Sequence, residues 1–196
     1  MTKIARRMAD IQPFHVMEIL KRAHELAAQG RDIIHLEVGE PDFPSPEPVV
    51  EAARRFLNGG HVHYTPALGL SALREAIAGF YRDRFGADVA PERIIVTPGA
   101  SGALMLALAV LTDPGDAWLL PDPGYPSNRH LVRSFEGVPV ALPVDATTRF
   151  QPTPTQVAEA WTTQTRGLMV ATPANPTGTL LTPGEIVALH AAVTAR

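Results

Sequence analysis

The sequence predicts an α/β fold built on a parallel sheet, and three observations predict it. From Arg93 onward, short apolar runs alternate with helical patterns. The runs are apolar throughout instead of in-and-out, and glycine-bearing turns lead from several of them into the next helix. Strands buried on both faces beneath crossover helices carry that signature.

Before this region, residues 14–29 place Val16, Met17, Leu20, Ala23, Leu26 and Ala27 at helical spacing, with Gly30 as the stop. IIHLEVG (33–39) reads as a short strand, and EPDFPSP is too proline-rich to be anything but loop. Ser45 as N-cap and Pro46 at the first helical position open a helix that stops at Asn58-Gly59-Gly60. HVHYTPALG (61–69) reads as an exposed turn, and a helix over 71–85 follows, with Leu73, Ile77, Phe80 and Tyr81 on one side.

In the alternating region, RIIVT (93–97) is a strand leading through PGASG into the apolar helix ALMLALAVL, which ends at DPG (113–115). DAWLLP (116–121) is the next strand, DPGYPSN the turn and RHLVRSF the helix. VPVALPV (138–144) is a third strand, followed by a helix around 154–161 and the strand GLMVAT (167–172). Thr182, Pro183 and Glu185 form a capping-box signature for a helix running to the C-terminus.

Composition narrows the function classes. The chain has 196 residues, a formal charge of -3 and no cysteine, which removes disulfides, thiol nucleophiles and cysteine metal sites. No basic stripe suits nucleic acid, and no run approaches a membrane span, so neither partner is expected. The N-terminus lacks the apolar core of an export signal, and a cytoplasmic location is the expectation. Of 17 basic residues only Lys3 and Lys21 are lysines.

Three turns carry candidate chemistry. Gly99-Ala100-Ser101-Gly102 joins a strand to a helix N-terminus, where unpaired N–H groups and the helix dipole favour an anion. Small residues are equally needed where such a turn packs tightly on a sheet. Tyr125 sits in the next strand-to-helix turn, at the carboxyl edge where open α/β sheets bind ligands. It is either an aromatic platform for a planar ring or an ordinary turn tyrosine. Asn175 ends the fourth strand on the same edge, and is either an amide donor to a ligand or a turn residue. His61 and His63 are alternate residues with no third ligand at a recognisable spacing, so no metal is expected.

In this order, LEVGEPDFPSP, HYTPALGLSALREAIA, VTPGASGALMLALAVLTDPGDAWLLPDPGYPSN and ATPANPTGTLLTPGE resemble the class I/II aminotransferases, the fold-type I enzymes that use pyridoxal 5'-phosphate. The resemblance spans essentially the whole chain. It implies an aspartate aminotransferase-like large domain, incomplete here, with residues 1–44 an N-terminal arm and part of a small domain and 45–196 the beginning of the large one. The implied activity is amino transfer between an amino acid and a 2-oxo acid in a homodimer.

The resemblance also implies roles. Ala100 and Ser101 hold the cofactor phosphate, Tyr125 stacks on its ring, and Asn175 donates to its 3-hydroxyl oxygen. Tyr64 reaches the phosphate of the neighbouring subunit, and Gly39 lies beside the substrate carboxylate. Pro123 and Pro176 match family prolines that often follow cis bonds. One departure is plain: neither Lys3 nor Lys21 matches the Schiff-base lysine, so no catalytic residue is assigned in this chain. The ring-nitrogen acid and the carboxylate-binding arginine are absent as well. In the family sheet, moreover, the strand matching 93–97 is separated from the others by strands that come later in sequence. A gap is therefore expected, and residues 1–196 alone are not expected to be a stable enzyme.

Alternative readings are another fold-type I enzyme such as a β-lyase, and a non-catalytic truncated relic. Nucleotide binding through the GASG turn is a third, but it lacks the acidic residue expected after the following strand.

Overall fold

The computed structural model describes residues 3–60 and 63–196. The chain falls into two units: a sheet unit of Met1–His15 and Leu104–Arg196, and a helical unit of Val16–Ala103.

The helical unit holds α1 (His15–Ala28), α2 (Glu47–Asn58) and α3 (Ser71–Phe85). Gly30, at φ +84°, follows α1 as the spacing predicts, and Gly86 caps α3 in the left-handed region. The cap of α2 differs from expectation. Pro46, not Ser45, occupies the N-cap position, and no side chain caps the helix. Arg74 ties the unit together, donating to the carbonyls of Gly69 (3.3 Å) and Pro91 (3.0 Å). Gly69 is required there, because at φ +95° an added Cβ would lie 2.6 Å from Val96 Cγ2.

Two expected strands are absent from the ladders. Residues 33–39 form no strand, and Ile34 and Leu36 are exposed. Of the predicted strand 93–97, Arg93 closes a 3-10 turn, Ile94 is extended and the Val96 N–H donates to Leu68 O (3.0 Å), but the segment pairs with no strand among the described residues. An extended segment becomes a strand only where a neighbour accepts its hydrogen bonds.

The sheet unit contains β1 (Ala117–Asp122), β2 (Val138–Pro143) and β3 (Thr165–Leu168), in the order β2-β1-β3 and parallel throughout. β3 is shorter and earlier than the predicted 167–172; the Met169 N–H still donates to Leu119 O before the chain leaves the sheet. Central β1 is buried from Ala117 to Leu120 because helices cover both faces.

On one face Leu119, Leu142, Val157, Leu181 and Leu189 form a core beneath α6 (Pro154–Ala160) and α7 (Pro183–Thr194). On the other, Trp118 packs with Leu108 of α4 (Gly99–Leu111) and Val132 of α5 (Ser127–Ser134). Trp118 Nε1 donates to Thr112 Oγ1 (3.0 Å), so its one polar atom is satisfied. The predicted capping box of α7 is present, with Thr182 Oγ1 accepting from the Glu185 N–H and Glu185 Oε2 from the Thr182 N–H. Thr153 and Gln156 make a second box at α6.

Candidate functional site

The site is built where β1 leaves the sheet. Asp122, Pro123 and Gly124 turn the chain through a cis Asp122–Pro123 bond, and α5 begins at Ser127. Only glycine fits the turn, since a Cβ on Gly124 would lie 2.3 Å from Pro121 O. Tyr125 is thereby delivered to the carboxyl edge, half-buried, with the Phe14 ring edge-on to it at 6.1 Å.

The second wall is the loop after β3. It runs from Ala171 to Gly178 with cis bonds before Pro173 and Pro176, and Gly178 takes φ +69°. Its own backbone closes it: the Ala174 N–H donates to Thr179 O (2.9 Å) and the Gly178 N–H to Ala174 O (2.7 Å). The Leu181 N–H donates to Thr172 Oγ1 (2.9 Å). Asn175 stands at the tip, exposed, and its side-chain amide makes no hydrogen bond to a described residue.

Tyr125 and Asn175 line one pocket, together with Asn128, Arg129, Phe150 and Gln151. Its cavity volume is about 40 Å³. Arg129 lies 3.7 Å from Asp122, so the mouth carries a guanidinium already matched by a carboxylate. The floor is more tightly held. Gln151 is 3% exposed, and its Nε2 donates to Thr179 O (3.0 Å), Thr179 Oγ1 (3.2 Å) and Ala171 O (3.4 Å).

Arg149 and Phe150, just before Gln151, both take φ +54°. Arg149 is fastened by an ion pair to Glu185. The hydrogen bonds Glu185 accepts from Thr182, backbone and hydroxyl, and then the Arg149 guanidinium, lower the Glu185 carboxyl to a pKa of about 2.

The four remaining predicted residues belong to the helical unit. Ala100 and Ser101 are exposed in the first turn of α4, where N–H groups have no partner within the helix. Gly99 enters that turn at φ +74°, held by Thr97 Oγ1 donating to Gly99 O (2.9 Å). Gly102 keeps the turn against Pro98, because a Cβ there would lie 3.1 Å from the proline Cδ. Gly39 and Tyr64 are exposed in irregular backbone. His63 is exposed, and His61 lies outside the described residues. Among the described residues no three His, Asp or Glu side chains gather as a metal would require, and no helix is long and apolar enough to cross a membrane.

Sequence reasoning missed Phe14 and Gln151. Each lies far along the chain from what it touches, and neither sits in a motif that announces it.

The sheet unit is a parallel α/β sheet covered by helices on both faces, with an aromatic and an unbonded amide at its carboxyl edge, the edge at which open α/β sheets bind ligands. Comparison with known proteins identifies the family. The model of the family "Aminotransferase class I and II" matches residues 31–196, and the chain belongs to that family.

Among its relatives, the valine–pyruvate aminotransferase of Mycobacterium tuberculosis is 38% identical over 189 residues, covering 96% of this chain and 48% of that protein. The aspartate aminotransferase of Geobacillus stearothermophilus is 40% identical over 188 residues, covering 95% and 48%. The crystal structure of the Thermus thermophilus aspartate aminotransferase with maleate superimposes with a TM-score of 0.93 at 37% identity, over 100% of this chain and 51% of that one. The chain therefore spans about half the length of the relatives it matches.

Proposed function

We propose that the protein containing this chain transfers an amino group between an amino acid and a 2-oxo acid using pyridoxal 5'-phosphate, and that the pocket between β1 and the 171–178 loop grips the cofactor. The observation that carries the reading is the shared pocket of Tyr125 and Asn175 at the carboxyl edge of the sheet. The donor set fits such a group. A flat heteroaromatic ring needs an aromatic face, its phenolic oxygen needs a neutral donor, and its phosphate needs a cluster of N–H groups.

In this reading Tyr125 stacks on the ring and excludes water from one face, a contact worth about 0.5–1.5 kcal/mol beyond its area. Asn175 donates to the 3-hydroxyl oxygen and favours its deprotonated state. The N–H groups of Ala100 and Ser101, with the Ser101 hydroxyl, hold the phosphate at the positive end of α4. When bound, the cofactor supplies an electron sink for the substrate α-carbon. Gly39 leaves room beside the substrate carboxylate.

Tyr64, fully exposed in this chain, is assigned to the phosphate of a second subunit in a homodimer. A cytoplasmic location belongs to the same proposal.

Neither Lys3 nor Lys21 fits the role of covalent amine and proton carrier, so that lysine is proposed to lie outside these 196 residues. By themselves these residues supply no amine for turnover.

The test is the protein made from the complete open reading frame that encodes this chain. Reconstituted with pyridoxal 5'-phosphate, it should show a visible cofactor band and convert 2-oxo acids in the presence of amino donors. Turnover only of β-elimination substrates would select the lyase alternative, and cofactor-free protein with neither activity would select the relic.

A further inference from the structure

Gln151 is the one buried polar side chain of the described core, and the proposed cofactor contacts do not involve it. Its position is unusual for a glutamine. A buried amide must find partners or forfeit its hydration, and this one spends its NH₂ on two backbone carbonyls and a hydroxyl. Those acceptors are not scattered. Ala171 and Thr179 are the two ends of the loop whose tip is Asn175.

One side chain therefore clamps both feet of the loop, while the loop's own Ala174 N–H to Thr179 O bond ties its middle to the same carbonyl. The clamp is itself fixed. Arg149, two residues earlier, is paired to Glu185 at the start of α7, and Thr153, two residues later, caps α6. Gln151 also lines the pocket that Asn175 lines, so the side chain that sets the loop's height stands beside the space the loop serves.

We propose that Gln151 is a positioning residue for Asn175: by holding Ala171 and Thr179 at fixed separation, it aims the Asn175 amide into the cofactor pocket. The proposal rests on the assignment of Asn175 as donor to the cofactor oxygen. A hydrogen bond of this kind is steeply sensitive to distance and angle, so a loop loosened by a fraction of an ångström loses much of it.

The experiment is a double-mutant cycle in the holoenzyme, with Gln151→Met, which keeps length and removes the donor, and Asn175→Ala. The readout is the pH midpoint of the bound cofactor's visible absorption, which a donor to the 3-oxygen holds down. Asn175→Ala should raise the midpoint by on the order of one pH unit. Gln151→Met should raise it in the same direction by roughly half as much, and should have no effect in the Asn175→Ala background.

Hydrogen exchange at the Ala174 and Gly178 amides should accelerate in Gln151→Met with or without cofactor. Should Gln151→Met fail to fold, Gln151→Asn keeps an amide in the same place one methylene short, and the same cycle is run with it.

An unchanged midpoint in the Gln151 variants while Asn175→Ala moves it overturns the proposal. So does an equal shift in both backgrounds, which would mean that Gln151 acts on the fold and not through Asn175. If Asn175→Ala itself leaves the midpoint unchanged, the cofactor role of Asn175 falls and the proposal falls with it. That failure is told apart from the others because it appears without any change at Gln151.

Discussion

The ring of Phe14 meets the ring of Tyr125 edge-on, with centroids 6.1 Å apart and planes at 71°. The contact joins the N-terminal segment to the turn after β1. Two ion pairs, Arg133 to Asp10 (2.9 Å) and Arg7 to Glu136 (3.3 Å), fasten the same segment to α5 and to the turn just after it. Tyr125 thus has one edge supported before any ligand arrives. An aromatic pair of this geometry contributes about 0.5–1.5 kcal/mol. Phe14→Leu, which keeps the bulk and removes the ring, should weaken cofactor binding in the full-length protein roughly fivefold. Equilibrium titration followed by absorbance checks this, and an unchanged dissociation constant would show that Tyr125 needs no such support.

Two glycines with opposite surroundings give a second test. A Cβ on Gly167 of β3 would lie 2.7 Å from Trp118 Cζ3, in the middle of the packed ring that covers it. Gly167→Ala should destabilise by about 1–3 kcal/mol through overpacking. Gly184, in the first turn of α7, has no positive φ, and a Cβ added there would meet nothing within 4 Å. There Gly184→Ala should stabilise by about 0.4–1 kcal/mol, because alanine loses less backbone freedom in a helix. Denaturant unfolding of both variants in the full-length protein, read against the full-length parent, gives the two signs directly.

Glu185 predicts a pH dependence. Its folded-state pKa is about 2 against an ordinary 4.5, so the folded state binds that proton less readily than the unfolded state. The stabilisation is fully present above pH 4.5 and is lost as pH falls through that window towards 2. The stability difference between the parent and Glu185→Gln should therefore be constant near neutrality and shrink across the window. Unfolding midpoints measured at a series of acidic pH values follow it; a difference that persists at pH 2 would assign the effect to the cap's shape instead of its charge.

The extent to which this fold can be read from its residues varies with the range of the interactions. α3 lies at 71–85 and the Thr182–Glu185 box caps α7 as expected, because spacing and capping act within one or two turns. The segments 33–39 and 93–97 carry strand-like residues, yet a strand also needs a partner, and none is available among the described residues. Tyr125 and Asn175 stand out because proline and glycine mark the turns that hold them. Gln151 does not, since its acceptors lie 20 and 28 residues away and a buried glutamine has no local pattern. The turn motifs are therefore legible, whereas the side chains that brace them are not.

The unpaired edge of β3 leads to the last prediction, for residues 1–196 made alone. Beyond β3 the described residues offer no further strand, so one row of backbone donors and acceptors is left without a ladder. Beside that edge Leu168, Val170, Leu181, Ile186 and Val193 line an apolar groove of about 230 Å³, and Val187 of α7 is 68% exposed. An open edge next to exposed apolar side chains favours pairing with another chain. The isolated 196 residues should self-associate, lack a cooperative thermal transition and leave the spectrum of added pyridoxal 5'-phosphate unchanged. Val170→Lys, which places a charge in the groove just beyond the end of β3, should reduce the association while leaving the core residues Leu119 and Val157 untouched. Light scattering and calorimetry decide the matter: a monomer that unfolds cooperatively and shifts the cofactor band would mean that the three-stranded sheet is sufficient without additional strands.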